Sequence, residues 1–204
     1  MRDKRKLFLT SSGLTEPMIS MFTRIIGKKT EDMKILYIPT AGIETDAARE
    51  GISICLYELL KMGIRSEDIL IYNLELILSK GYERTYSAYI KEGHIAGRLM
   101  HLEELEKFDA VFMSGGDCAV LCREMTRTGF DTILKSAIND GLVYVGISAG
   151  SMYAAGNMEN GLHIIPNSIL PHYIGQDNVS LKDKEIRLEN GSAIYIDGND
   201  VSLI

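Results

Sequence analysis

The stretch Leu142-Val143-Tyr144-Val145-Gly146-Ile147-Ser148-Ala149-Gly150 runs an apolar, β-type segment into a glycine and then into a serine set among small residues. Ser151-Met152-Tyr153-Ala154-Ala155 follow, with the composition of a helix's first turns. A buried strand that turns at once into a helix leaves its turn residue exposed at the strand's carboxyl end. Small neighbours are needed there because the backbone is crowded. The same turn aims the Ala149 N–H and the helix N-terminus at whatever lies over Ser148. G-x-S-x-G is the sequence trace of such a nucleophile elbow. A tight strand-to-helix turn with serine as its N-cap gives the same pentapeptide, and the residues alone leave both readings open.

Outward from this stretch, strands and helices alternate. Lys6–Thr10, Lys34–Ile38, Ile69–Leu74 and Asp109–Met113 read as strands. Helices are expected from Pro17 to Ile26, from Asp46 to Met62, over Ala119–Met125 and over Phe130–Ile138. From Glu185 onward, short strands are separated by turns at Asn190-Gly191 and Asp197-Gly198. Residues 75–107, rich in tyrosine and glycine, read as an excursion near a binding edge. The pattern predicts one domain over 1–204, a three-layer α/β/α fold around a mainly parallel sheet with short C-terminal β-strands. Ligands of such sheets bind beyond the strands' carboxyl ends. Ser11-Ser12-Gly13, Thr40-Ala41-Gly42, Ser114-Gly115-Gly116 and Gly146-Ile147-Ser148 all fall there.

Composition narrows the function. A chain of 204 residues can bury a sizeable core. A net charge of −6 with no basic stripe speaks against a nucleic-acid partner. No apolar run reaches membrane-spanning length, and Leu7-Phe8-Leu9 is too short for a signal-peptide core. Cys55, Cys118 and Cys122 are odd in number and lack C-x-x-C spacing, which fits a reduced, cytoplasmic protein.

A serine nucleophile needs a base and oxyanion donors. Gly115-Gly116 after a strand lets backbone amides face the cleft, so the Gly116 and Ala149 N–H groups are candidates for an oxyanion hole. A phosphate-binding nest is the rival, but neither nucleotide-loop pattern occurs. Among the four histidines, His172 in Leu170-Pro171-His172-Tyr173 is the candidate base. It follows the serine in a segment that must return to the cleft, and the proline stiffens its approach. His163 sits among apolar residues and reads as structural; His94 and His101 read as solvated. For the group that orients the base, Glu189 is the first candidate and Asn190 the alternative, with Glu159 a third. Asp197-Gly198-Asn199-Asp200 resembles a calcium loop but lacks its helices and last glutamate, so it reads as a hairpin turn.

Taken together, these segments resemble the peptidase E (aspartyl dipeptidase) family of serine peptidases. The likeness rests on Leu9-Thr10-Ser11-Ser12, Ile35-Leu36-Tyr37-Ile38-Pro39-Thr40-Ala41, Ser114-Gly115-Gly116, Arg127-Thr128-Gly129-Phe130-Asp131, Gly146-Ile147-Ser148-Ala149-Gly150-Ser151 and Pro171-His172-Tyr173, in family order. The resemblance implies a fold like the class I glutamine amidotransferases and hydrolysis of short peptides without a cofactor or metal. It implies Ser148 as nucleophile, His172 as base and the Gly116 and Ala149 amides as oxyanion donors. A second copy of the chain is a candidate partner. Two departures stand out. Asp117-Cys118 follow the glycines where the family usually has Asn-Thr or Asn-Ser, placing an acid beside the oxyanion site. The family's triad glutamate aligns with Asn190, next to Glu189, and no arginine follows Tyr173 to meet an acidic side chain. Two other function classes stay in view: an esterase-type serine hydrolase, and a binding module that keeps the fold without catalysis.

Overall fold

Period-two alternation divides the apolar residues of the parallel strands between two faces. Phe8, Ile35, Tyr37, Ala110, Phe112, Val143 and Val145 pack in one core with Met18, Phe22 and Leu59. Leu7, Leu9, Leu36, Ile38, Val111, Met113 and Tyr144 pack in the other with Leu121, Met125, Phe130 and Leu134. Both faces are therefore covered by helices, as a parallel sheet requires. The computed structural model describes residues 3–44, 46–77, 98–175 and 180–204. The central strands are β1 (Lys6–Thr10), β2 (Ile35–Ile38), β3 (Ile69–Ile71), β4 (Ala110–Met113) and β5 (Val143–Ile147). β6 (Ser168–Leu170) and β7 (Glu185–Arg187) form a separate parallel pair, and β8 (Ala193–Asp197) and β9 (Asp200–Leu203) complete the main sheet.

Among the described residues the main sheet has seven strands, in the order β3-β2-β4-β5-β1-β8-β9. Its first five strands in that order are parallel, and β8 and β9 add antiparallel at one edge. Helices α1 (Glu16–Ile26) and α2 (Asp46–Lys61) cover the Phe8 face. Helices α4 (Cys118–Thr128), α5 (Phe130–Asp140) and α6 (Ala149–Ala154) cover the other, and α3 (Leu102–Leu105) packs against α5. Burial of a side chain such as Phe22 or Leu121, both 0% exposed, contributes about 1.5–3 kcal/mol. The expected fold class is the one observed. The Asp197–Asp200 segment is the β8–β9 hairpin turn, not a calcium loop.

One strand is shorter than its apolar run. β3 ends at Ile71, because Asn73 leads into a 3₁₀ turn over Leu74–Leu76 and the Leu74 N–H is taken by Thr40 Oγ1 at 3.0 Å. Most of the tyrosine- and glycine-rich excursion, including His94, lies outside the described residues.

The chain re-enters at Arg98, where Glu104 organises the approach to β4. Its carboxylate accepts two guanidinium hydrogen bonds from Arg98, at 2.6 and 2.9 Å, and the His101 N–H at 2.8 Å. The Arg98 hydrogen bonds hold its pKa at about 2, against an ordinary value of 4.5. A carboxyl held low when folded binds its proton more readily once unfolded. Its stabilisation is therefore complete above about pH 4.5 and disappears as the pH falls through about 2. Urea titrations of the parent and Glu104→Gln should show the parent more stable at neutral pH, with the gap closing below about pH 4.

Candidate active site

Ser148 stands between β5 and α6 with φ 49° and ψ −103°, a conformation that costs a non-glycine residue about 1–3 kcal/mol. The surroundings fix it. The Ser148 N–H donates to Thr10 O at 3.0 Å, and Ser148 O accepts the Met152 N–H at 3.0 Å. The Ser151 hydroxyl reaches both Thr10 O (2.7 Å) and Gly146 O (2.9 Å). The two glycines of the motif answer to close approach. A Cβ on Gly146 would lie 2.7 Å from Gly150 C and Ser151 N, and one on Gly150 would lie 2.6 Å from Met113 O. Helix α6 can sit this close to β4 and β5 only without those side chains.

His172 arrives from the other direction. The segment after β6 is tied to the one after β7 by Leu188 N–H to Leu170 O (2.9 Å) and Tyr173 N–H to Leu188 O (3.0 Å). At its tip His172 has φ 56°, and its N–H donates to Ser11 Oγ at 2.7 Å. Its Nε2 lies 3.0 Å from Ser148 Oγ, and its Nδ1 lies 2.7 Å from Asn190 Oδ1. The Ser11 hydroxyl, already accepting from His172 N–H, donates to Asn190 Oδ1 at 3.2 Å. Ser12 Oγ accepts the Gly191 N–H at 3.1 Å, pinning the same turn. If the Ser148 hydroxyl donates to Nε2, the ring proton is on Nδ1, and the acceptor facing it is the Asn190 carbonyl oxygen.

The third position thus corrects the first sequence choice. Glu189 is exposed and forms no contact with His172 among the described residues, whereas its alternative, Asn190, faces the ring. The turn is closed by the Ser192 N–H on Glu189 O at 3.1 Å, and Asn190 is the side chain it brings to the histidine. Glu159 is also exposed and forms no hydrogen bond with the ring among the described residues; its carbonyl accepts from His163 at 2.9 Å. His101 precedes α3. Ser11 was missed as a positioning residue. Its place at the end of β1 marked it as cleft-lining, but its contact with a turn almost at the other end of the sequence has no local signal.

The β4 end supplies the remaining wall. A Cβ on Gly115 would be 3.4 Å from Ser148 Cβ. Gly116 has φ 131°, and a Cβ on it would overlap Ala41 O. Its N–H has no hydrogen-bond partner among the described residues. Ala149 opens α6, where first-turn N–H groups have no intrahelical acceptor. Asp117 turns onto its own helix: Oδ1 accepts the Ala119 and Val120 N–H groups at 2.7 and 3.2 Å, capping α4. The departure at Asp117 is therefore an N-cap, its charge set against a helix N-terminus. Burial pushes the Cys55 and Cys118 thiols up to about 12, so neither is a nucleophile at neutral pH. No group of three or more metal-ligating side chains occurs among the described residues. A cleft of about 450 Å³ adjoins Ser148, His172 and Gly116.

A model of peptidase family S51 matches residues 94–204, more than half of the chain and all of the segment carrying Ser148, His172 and Asn190. The chain belongs to peptidase family S51. Within that family it is 32% identical over 116 residues to peptidase E of Streptomyces coelicolor, an alignment spanning 50% of this chain and 47% of that relative. It is 23% identical over 97% of both chains to an uncharacterized peptidase of Listeria monocytogenes. The fold matches a putative peptidase E from Listeria monocytogenes at TM-score 0.62 and 24% identity, covering 98% of each chain. It also matches a peptidase from an acI-B1 actinobacterium at TM-score 0.61 and 17% identity, covering 100% of this chain and 88% of that one.

The strain at Ser148 should be measurable in this S51 member. Ser148→Gly removes the side chain that disfavours φ 49°, while Ser148→Ala keeps a Cβ. In urea titrations the glycine variant should exceed the alanine variant by about 1–2 kcal/mol, reversing the usual order of the two residues in regular structure. The Asn190 contact should appear in the pH profile. A carboxylate there stabilises imidazolium, so Asn190→Asp should move the acidic limb of kcat/KM to higher pH. Asn190→Ala removes a hydrogen bond worth about 1.5–3 kcal/mol to a charged partner and should slow turnover about 10- to 100-fold.

Proposed function

We propose that this S51 member is a serine peptidase of short peptides, with Ser148 as nucleophile, His172 as base and Asn190 orienting the ring. The observation that carries this is the continuous line from Ser148 Oγ to His172 Nε2 (3.0 Å) and from His172 Nδ1 to Asn190 Oδ1 (2.7 Å). Ser148 Oγ attacks the peptide carbonyl carbon as its proton passes to Nε2. The carbonyl oxygen takes the negative charge, with the Gly116 and Ala149 N–H groups as its donors. The C–N bond then breaks, the amine leaves with the proton from Nε2, and an acyl-Ser148 ester remains. Water, deprotonated by the same nitrogen, cleaves that ester and restores the serine. A neutral asparagine sets the tautomer without adding charge, so the imidazolium stage draws its stabilisation from hydrogen bonding alone. A cleft of about 450 Å³ suits a peptide of a few residues. The esterase alternative is disfavoured by the order of the groups: here the orienting residue follows the histidine, whereas α/β-hydrolases place it before.

The test is kinetic. Ser148→Ala and His172→Ala should each lower turnover of a cleaved short peptide by about 10³- to 10⁶-fold, and the double variant should be little worse than either. A fluorophosphonate should label Ser148 in the parent and fail in His172→Ala. Near-parental turnover by folded Ser148→Ala would remove the assignment.

A further inference from the structure

The cleft beside Ser148 has a chemical character that the catalytic groups do not explain. It runs between α1 and α2 over the Phe8 face of the sheet. Its wall is mainly apolar: Leu14, Tyr37, Leu59, Met62, Phe112 and Ile147 all line it. Tyr37 and Phe112 are paired neighbours on β2 and β4 and form its floor. Two hydroxyls on this wall are buried without a nitrogen or oxygen partner among the described residues, Tyr37 OH and Ser114 Oγ. The Tyr37 hydroxyl lies beside the Cys55 thiol, a weak hydrogen-bonding group. Among the described residues the lining holds no lysine or arginine. Its carboxylate, Glu58, is half-exposed and 3.5 Å from Lys61.

Resting on the serine-peptidase reading above, we infer that this cleft receives a large uncharged side chain, aromatic or long aliphatic, on the acyl side of the scissile bond. The side follows from which elements form the wall. The base must hand its proton to the leaving group, so the leaving group lies along the His172 segment, of whose described residues His172 alone lines the cleft. The Gly115-Gly116 turn and Ile147, beside the carbonyl's expected position, contribute most of that end. An acidic side chain would lose its water against a wall with no lysine or arginine among its described residues, and the cation near its rim, Lys61, is already paired with Glu58. A large apolar chain gains by the area it buries.

Activated esters isolate the acyl group, so the full chain is assayed with p-nitrophenyl acetate, 3-phenylpropionate and monosuccinate, each rate divided by spontaneous hydrolysis. The expected order in kcat/KM is phenylpropionate above acetate by about 10- to 100-fold, with succinate below acetate. Gly51→Phe and Cys55→Phe put bulk into the cleft from one face of α2; a Cβ on Gly51 meets nothing within 4 Å, so the first fills open space. In each folded variant the phenylpropionate-to-acetate ratio should drop at least about fivefold. Loss of all ester turnover in Ser148→Ala tests the catalytic reading separately. If turnover depends on Ser148 but succinate is preferred, or the ratio survives both α2 variants, the inference about the cleft is overturned while the nucleophile stands.

Discussion

The carbonyl oxygen of Thr10 accepts both the Ser148 N–H and the Ser151 hydroxyl. Thr10 also donates its own hydroxyl to Gly146 O at 3.0 Å and accepts the Gly13 N–H at 3.0 Å. Thr10 and Ser151 are both fully buried, where an unmade hydrogen bond is expensive. The cost of leaving any of these groups unpaired offsets the unfavourable backbone at Ser148. The end of β1 therefore does two jobs. It holds the strand-to-helix turn through Thr10, and it holds the histidine and its asparagine through Ser11. Ser148 and His172 are registered to each other because both are registered to the same two residues.

An asparagine beside the histidine changes the electrostatics of the site but not its geometry. A carboxylate would fix the ring and stabilise its charged form; the amide oxygen fixes the ring and supplies only a dipole. With Asp117 turned onto α4, no carboxylate among the described residues is hydrogen-bonded to Ser148 or His172. The site in this S51 member relies on directed hydrogen bonds more than on net charge.

How much of this was legible in sequence depended on the range of the interaction. The β5–α6 turn was readable because its cause is local: two glycines that a close approach demands, within five residues. The layer assignment was readable because strand and helix alternate along the chain from β1 to β5. The histidine was reachable because Pro171-His172-Tyr173 follows the turn and the fold must bring it back. The choice between Glu189 and Asn190 was not readable. It rests on which of two adjacent side chains a turn rotates toward the ring, and the rotation is set by Ser11 and Ser12 from the opposite end of the chain. The role of Asp117 was obscured similarly: whether an acid faces a cleft or its own helix depends on a side-chain rotation.

The pairing of β8 with β1 has a consequence for the order in which this molecule acquires its chemistry. Lys6 lies opposite Asp197 and Thr10 opposite Ala193, so the first strand and one near the end of the sequence are neighbours. Synthesis proceeds from the N-terminus, and contacts this distant in sequence close late. Ser148 and His172 are translated before Asn190, whose turn leads into β8, the strand paired with β1. A chain still emerging from the ribosome is expected to carry its serine without a fixed histidine. On the proposed reading, hydrolytic competence would arrive with β8, and a half-made chain would stay inert among the other nascent chains around it.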